Sequence, residues 1–257
     1  MWTLMDIEKD NCLIIRNIQT MKIEAIDLKK IYNNTEVLNI QSITITQGEI
    51  FGLVGNNGAG KTTFFRLILD LIKADGGKVV SNDIAVNESS VWKAYTGSFL
   101  DNGFLIDFLT PEEYFYFVGE LYGLKKDIVN ERLKAFDRFF NDEILSKKGK
   151  LIRDFSRGNQ QKIGIAAAVV IKPKVLVLDE PFNALDPTSQ IILKELVKDY
   201  SQNKGTTVLI SSHDLNHVAE TCTRIALLEK GRIIKDMKTN ENALNELIEY
   251  FGQGTKI

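Results

Sequence analysis

A glycine-rich segment at residues 55–63 has the residue types and spacing of a phosphate-binding loop. It matches the pattern G-x-x-x-x-G-K-[ST] and reads Gly55-Asn56-Asn57-Gly58-Ala59-Gly60-Lys61-Thr62-Thr63. Glycines let the main chain wrap around a polyphosphate and direct its N–H groups at the oxygen atoms. In such a loop Lys61 reaches the β- and γ-phosphates, and the Thr62 hydroxyl is a ligand of Mg²⁺. The segment predicts binding of a nucleoside triphosphate with magnesium; the alternative is an ordinary glycine turn followed by Lys-Thr.

Two carboxylates follow an apolar segment later in the chain. Residues 175–178 are Val-Leu-Val-Leu, and Asp179 and Glu180 come directly after them. In an open α/β sheet, ligands bind at the carboxyl ends of the strands, where both side chains would emerge. Asp179 can hold Mg²⁺, and Glu180 can accept a proton from an attacking water. The alternative is a strand that leaves the core into a polar turn; the glycine loop upstream favours the site.

The elements that must position these residues predict an α/β fold. Residues 50–54 are typical of a short buried strand, and residues 62–71 of an amphipathic helix, on either side of the glycine loop. Strands and helices alternate after residue 158, which indicates a mainly parallel sheet with helices on both faces. Other strands are predicted at 23–28, 37–46, 78–80, 95–100, 175–178, 207–211, 224–228 and 233–235. Further helices are predicted at 128–140, 160–171, 187–200, 215–219 and 240–252, and a polar turn at 29–34.

A helical block interrupts the strands in the middle of the chain. Thr110 followed by Pro111 is a helix start, with Tyr114, Phe117, Val118 and Leu121 on one predicted face. We interpret residues 104–158 as an inserted helical subdomain.

Composition restricts the class of protein. The 257 residues carry 34 acidic and 32 basic side chains, so no global charge favours nucleic acid or an anionic membrane. Cys12 and Cys222 have no metal-ligand spacing, which favours a reduced, cytoplasmic chain. No apolar run is long enough to cross a bilayer, and charged residues interrupt residues 1–20, which we interpret as an N-terminal extension without a signal peptide. Any membrane association is expected through a partner.

Over residues 21–236 the chain resembles the ATP-binding subunit of ABC transporters. Six elements follow the order of that family: Tyr32 at the place of an adenine-stacking aromatic, the glycine loop, Asp101 at the Q-loop position, Phe155-Ser156-Arg157-Gly158-Asn159-Gln160-Gln161-Lys162 at the signature, Asp179-Glu180 as the Walker B end with the D-loop Ala184-Leu185-Asp186, and His213 in the H-loop.

The resemblance implies a P-loop NTPase fold with an N-terminal antiparallel β subdomain, and a C-terminal helix and tail over 237–257. It implies a dimer with two ATP molecules, each between the glycine loop of one cassette and the signature of the other. Ser156 can cap a helix that begins near Gly158 and directs its N–H groups at the γ-phosphate. By the same resemblance Asp186 spans the two sites, and His213 contacts the γ-phosphate. The alternatives are a surface anchor for Tyr32 and a structural role for His213.

Three positions depart from the family pattern. Asp101 replaces a glutamine; its carboxylate can bind Mg²⁺ but adds negative charge near the triphosphate, and Asn102 is the alternative aligned residue. Arg157 replaces the first signature glycine and Asn159 the glutamine, while Ser156 and Gly158 are retained. Some family members that export antimicrobial peptides carry an acidic residue at the position of Asp101, which favours export.

The leading hypothesis is an ATP-hydrolysing, energy-coupling subunit that works as a homodimer on a separate transmembrane permease at the inner face of the cell membrane. The aromatic run 114–117 is the candidate docking face for that permease. An alternative is a soluble ABC ATPase that acts on nucleic acid or ribosomes; one cassette, no heptad run and no basic tract argue against it. A third possibility is a cassette that binds ATP without hydrolysing it.

Overall fold

The computed structural model describes the backbone of residues 21–253 and the side chains of residues 21–250. The predicted extension 1–20, with Cys12, and the end of the predicted tail lie outside the described residues.

The described strands form two sheets. They are β1 (Lys22–Tyr32), β2 (Thr35–Thr46), β3 (Ile50–Val54), β4 (Gly76–Ser81), β5 (Ile84–Ala85), β6 (Thr96–Phe99), β7 (Val175–Asp179), β8 (Thr207–Ser212), β9 (Arg224–Glu229) and β10 (Arg232–Lys238). A four-stranded antiparallel sheet has the order β2-β1-β4-β5, and a six-stranded sheet has the order β10-β9-β3-β8-β7-β6. In the larger sheet the pairing is parallel except between β9 and β10. The predicted antiparallel subdomain and mainly parallel core are therefore confirmed.

The described α-helices lie between strands along the chain, except α8, which follows the last strand. They are α1 (Lys61–Ile68), α2 (Pro111–Leu121), α3 (Lys126–Leu133), α4 (Asp137–Phe140), α5 (Arg157–Val170), α6 (Pro187–Gln202), α7 (Leu215–Thr221) and α8 (Ala243–Gln253). Helices α2 to α4 lie between β6 and α5, where the inserted helical block is predicted.

Strands β3, β8 and β7 of the six-stranded sheet are buried on both faces, which explains why β3 is apolar throughout. Ile50 and Val54 pack into the cluster that holds the buried side chains of α5 and α6. Phe51 and Leu53 point the other way, into a cluster with α1 and the antiparallel sheet. A parallel sheet covered on both faces needs apolar residues at consecutive positions rather than in alternation.

The predicted apolar face of α2 is only half covered, because Tyr114 and Val118 pack against the core and the other two residues do not. Leu121 is 67% exposed and Phe117 is exposed, whereas Phe115 and Gly119 are buried. A Cβ on Gly119 would come within 2.5 Å of Val129 Cγ2, so this glycine lets α3 approach closely. The run 114–117 is aromatic throughout and therefore does not identify a face, and a buried glycine is missed when only apolar residues are counted.

Several boundaries also differ from the predictions. Strand β1 continues through Tyr32, so the predicted turn at 29–34 is restricted to Asn33 and Asn34, both with positive φ. The predicted helix 128–140 is divided into α3, a 3-10 turn at Lys134–Phe136, and α4. Helix α1 ends at Ile68, three residues before the predicted end.

Candidate functional site

Three neighbouring strands bring the predicted site residues to one edge of the larger sheet. Strands β3, β8 and β7 are adjacent and parallel, so their carboxyl ends lie side by side. The glycine loop follows β3, Asp179 ends β7 with Glu180 next, and His213 follows β8. This arrangement joins residues that are more than 100 positions apart in the sequence.

The glycine loop leads directly into the N-terminus of α1. Gly60 is the residue before the helix, with φ of 110°, and no side chain caps its first N–H groups. The loop lines a cleft of about 280 Å³ together with Tyr32, Val37 and Glu180. Uncapped N–H groups at the wall of an open cleft can bind an anion.

Two glycines of the loop are required for different reasons, which gives a testable contrast. A Cβ on Gly55 would lie 2.3 Å from the Leu228 carbonyl oxygen, whereas Gly58 has open space around it but a φ of +81°. We expect Gly55→Ala to lower the free energy of unfolding by about 1–3 kcal/mol through overpacking. Gly58→Ala should lower it by only about 1 kcal/mol, through backbone strain. Urea unfolding of both variants measures the difference; equal losses would contradict the assigned close contact at Gly55.

Lys61 is a buried cation held against its own loop. Its Nζ donates a hydrogen bond of 2.6 Å to the Gly55 carbonyl oxygen and lies 3.2 Å from Glu180 Oε1. An ammonium removed from water is stabilised only by such partners. The cation is therefore fixed at the cleft wall, where it can exchange these contacts for phosphate oxygens.

Glu180 is held between two basic groups. In addition to Lys61, its Oε2 lies 2.9 Å from His213 Nδ1. Its backbone has φ of 47°, and its N–H donates to Ser211 Oγ at 2.9 Å. The carboxylate is thus placed at the cleft with a defined direction, as a general base requires.

Asp179 and Thr62 form the second polar pair of the site. Thr62 Oγ1 donates to Asp179 Oδ2 at 2.6 Å, and Ser211 Oγ donates to Oδ1 of the same carboxylate. Burial raises the pKa of the Asp179 carboxyl above its ordinary value, against the effect of both hydrogen bonds. A hydroxyl and a carboxylate oxygen are the ligands that Mg²⁺ prefers, so these two residues fit the predicted magnesium site.

Ser211 was not among the residues predicted from the sequence. It is fully buried at the end of β8 and contacts both Asp179 and Glu180. Ser211 lies two residues before His213, and this position is the only signal that the sequence offers.

Tyr32 and Asp101 are placed differently relative to the cleft. Tyr32 is exposed and lines it, with Lys30 Nζ 5.1 Å from the ring centroid. The Asp101 carboxylate accepts a hydrogen bond of 2.7 Å from the Gly103 N–H, within its own turn. This hydrogen bond is local and gives no link between Asp101 and the pair Thr62 and Asp179. Adenine stacking by Tyr32 and metal binding by Asp101 both stay predictions.

The signature and D-loop residues lie away from the lining of this cleft. Ser156 caps α5 by accepting from the Asn159 N–H at 3.3 Å, as expected, and α5 begins at Arg157. Gly158 packs against the Ala184 carbonyl oxygen. Asp186 caps α6, and hydrogen bonds from Ser189 lower the pKa of its carboxyl. The roles of these residues toward a nucleotide stay predictions.

A sequence profile of the ABC transporter family matches residues 38–183, more than half of the chain. The chain belongs to the ABC transporter family. An uncharacterized ABC transporter ATP-binding protein of Methanocaldococcus jannaschii is 32% identical, over 92% of this chain and 85% of its own length. The bacitracin transport ATP-binding protein BcrA of Enterococcus faecalis is 31% identical, over 85% of this chain and 70% of its own length.

Solved structures support the same assignment for this ABC ATP-binding domain. A structure of the ATP-binding subunit of an ABC transporter superposes with a TM-score of 0.77 at 27% identity, over 90% of this chain and 93% of the other.

A Synechocystis relative named as an uncharacterized ABC transporter ATP-binding protein is 33% identical over 84% of this chain, which spans 63% of the length of that relative. Among residues 21–253, every helix is too short or too polar to cross a membrane.

Proposed function

We propose that this ABC ATP-binding domain hydrolyses ATP and transmits the energy to a separate transmembrane permease. The observation that carries the proposal is the Glu180 carboxylate, held between Lys61 and His213 at the mouth of the glycine-loop cleft. A phosphate-binding loop with a directed carboxylate beside it can bind a triphosphate and activate water against it.

The reaction is ATP + H₂O → ADP + phosphate, by in-line attack of water on the γ-phosphorus. The loop N–H groups and Lys61 bind the phosphates, and Glu180 accepts the proton of the attacking water. When His213 donates through Nδ1 to Glu180, its Nε2 carries an N–H that can donate to a phosphate oxygen only if the imidazole is protonated. Thr62 and Asp179 would hold Mg²⁺, which neutralises charge on the phosphate oxygens when bound.

A second copy of the chain completes the site in this proposal. The N-terminus of α5, capped by Ser156, is a second set of oriented N–H groups that lies outside the glycine-loop cleft of its own chain. One nucleotide can be held by both surfaces only when two chains face each other. We therefore propose a homodimer with two ATP molecules at its interface.

The permease would lie against the helical part of the cassette, at the inner face of the cell membrane. Phe104, Phe108 and Leu121 are large apolar side chains exposed there, as expected of a surface that a partner covers. Of the predicted docking run 114–117, Phe115 is buried in the core and only Phe117 is exposed. We propose residues 21–236 as the cassette and 104–158 as its helical subdomain. Strand β10 continues past the first of these boundaries, to Lys238.

We propose export as the direction of transport. The support is the acidic residue Asp101 at the Q-loop position and the similarity to a protein named for bacitracin transport. Peptide antibiotics are the corresponding substrate class.

Phosphate release from Mg-ATP tests hydrolysis, and purification from membranes of the native host tests the partner. We expect release that stops when EDTA removes the metal, and copurification with a membrane protein of several spans. ATP binding without release would identify a cassette that only binds, and copurified RNA or DNA would favour the soluble alternative.

A further inference from the structure

Helix α5 contacts the segment from Glu180 to Asp186 through two of its residues. Gln161 Nε2 donates to the carbonyl oxygens of Glu180 and Pro181, both at 3.3 Å. One turn earlier, the absent Cβ of Gly158 leaves room for the Ala184 carbonyl oxygen, which would lie 2.5 Å from it. Helix α5 therefore contacts both the start and the middle of the segment that carries the proposed general base.

The same segment holds backbone strain that these contacts must sustain. Glu180 has φ of 47° and Ala184 has φ of 61°, and neither is glycine. Left-handed conformations are unfavourable for such residues and persist only where the surroundings enforce them. The direction of the Glu180 side chain is thus sensitive to how firmly the segment is held.

Lys162, the residue after Gln161 in α5, places a buried positive charge beside this segment. Its side chain is 4% exposed, and Nζ lies 3.7 Å from Asp186 Oδ2 and 3.8 Å from Glu143 Oε2. The ring centroid of Phe139 is 5.8 Å away. An apolar side chain would fill this space without the desolvation cost of a buried ammonium. Packing alone does not explain a cation here.

The two carboxylates beside Lys162 belong to different parts of the fold. Asp186 caps α6 at the far end of the strained segment. Glu143 belongs to the helical block and follows a tight turn in which Asn141 and Asp142 have φ of 49° and 56°. Both distances exceed the length of a hydrogen bond, and they differ by only 0.1 Å. The ammonium therefore lies between the two carboxylates and is hydrogen-bonded to neither. A flexible lysine stem allows a shift toward either carboxylate.

We propose that Lys162 is a positioning residue that ties the helical block, through Glu143, to the segment Glu180–Asp186. Movement of the helical block then changes how firmly that segment is held, and so changes the position of Glu180. This inference rests on the proposed function, in which Glu180 activates water.

Lys162→Met tests the proposal, because methionine has about the size of the apolar lysine stem and carries no charge. With ATP we expect kcat to fall about tenfold, as for a small misplacement of a reacting group, and KM to stay within about twofold. Lys162→Arg retains the cation and can donate to both carboxylates at once, so its kcat should stay within about threefold of the wild type. Lys204→Met is the matched control, since Lys204 also pairs with a carboxylate, Asp199, and lies over a ring, Tyr200, but outside this segment.

Hydrogen–deuterium exchange of the nucleotide-free protein gives a readout that does not depend on hydrolysis. Lys162→Met should speed exchange at residues 181–186 and 141–146, with the thermal midpoint unchanged or raised. Unaltered exchange at both segments, or a wild-type kcat in Lys162→Met, would overturn the role of Lys162. A thermal midpoint that falls in both Lys162→Met and Lys162→Arg would also overturn it, because the side chain would then act by packing alone. If the wild-type protein does not release phosphate, the proposed function fails, and the exchange measurement still decides whether Lys162 holds the segment.

Discussion

Glu180→Gln is expected to lower the rate of ATP turnover by roughly 10²- to 10⁴-fold, the usual effect of losing a general base. ATP binding should be preserved, because glutamine has the same size and its amide oxygen can still face Lys61, 3.2 Å from the carboxylate in the wild type. The neighbouring Ser211 contact is to the backbone of residue 180 and is not changed by the substitution. Phosphate release under saturating Mg-ATP, with a separate equilibrium measurement of ATP binding, determines both quantities.

A matched control is Glu220→Gln, which removes a carboxylate paired with Lys194 at 2.6 Å outside the cleft. It should hydrolyse ATP at the wild-type rate. Wild-type turnover in the Glu180 variant would refute its role as the base, and loss of ATP binding would show that the carboxylate shapes the cleft instead.

The parts of the site that follow from local spacing could be predicted from the sequence. The glycine loop fixes its own shape because Gly55 and Gly60 occupy positions that other residues cannot adopt without strain or overlap. Asp179 and Glu180 follow an apolar strand, and parallel strands place their carboxyl ends at one edge of the sheet. These two rules bring Lys61, Glu180 and His213 together without knowledge of any long-range contact.

The parts that depend on packing between distant segments could not be predicted. Ser211 is an ordinary serine at a strand end until the sheet places it beside Asp179 and Glu180. Gln161 and Lys162 are polar residues whose types give no sign of burial, yet both are buried beside the segment after β7. In α2, the close approach of Val129 to Gly119 sets the buried face, and periodicity of apolar residues has no means of showing it.

The proposed homodimer leads to the second large effect. In the Glu180→Gln background, Mg-ATP is expected to convert the protein from monomers into dimers, because the nucleotide that bridges two chains is no longer consumed. Adding Ser156→Arg should weaken this dimer by roughly 30- to 1000-fold, the range for the loss of a central interface residue. The serine hydroxyl caps α5 through the Asn159 N–H, and an arginine there fills the space in which the partner's phosphates would sit. Sedimentation with and without Mg-ATP measures the association.

Thr110→Arg separates an effect on the interface from an effect on stability. Thr110 caps α2 in the same way as Ser156 caps α5, with its hydroxyl accepting from the Glu113 N–H, so both substitutions remove a helix cap and add the same side chain. Each should lower the free energy of unfolding by about 1 kcal/mol. Only the Ser156 variant should lose ATP-dependent association, since only its helix end is proposed to meet a nucleotide bound to another chain. If the Glu180→Gln protein stays monomeric at saturating Mg-ATP even with its membrane partner supplied, two chains do not share a nucleotide, and Ser156 is a helix cap with no part in the site.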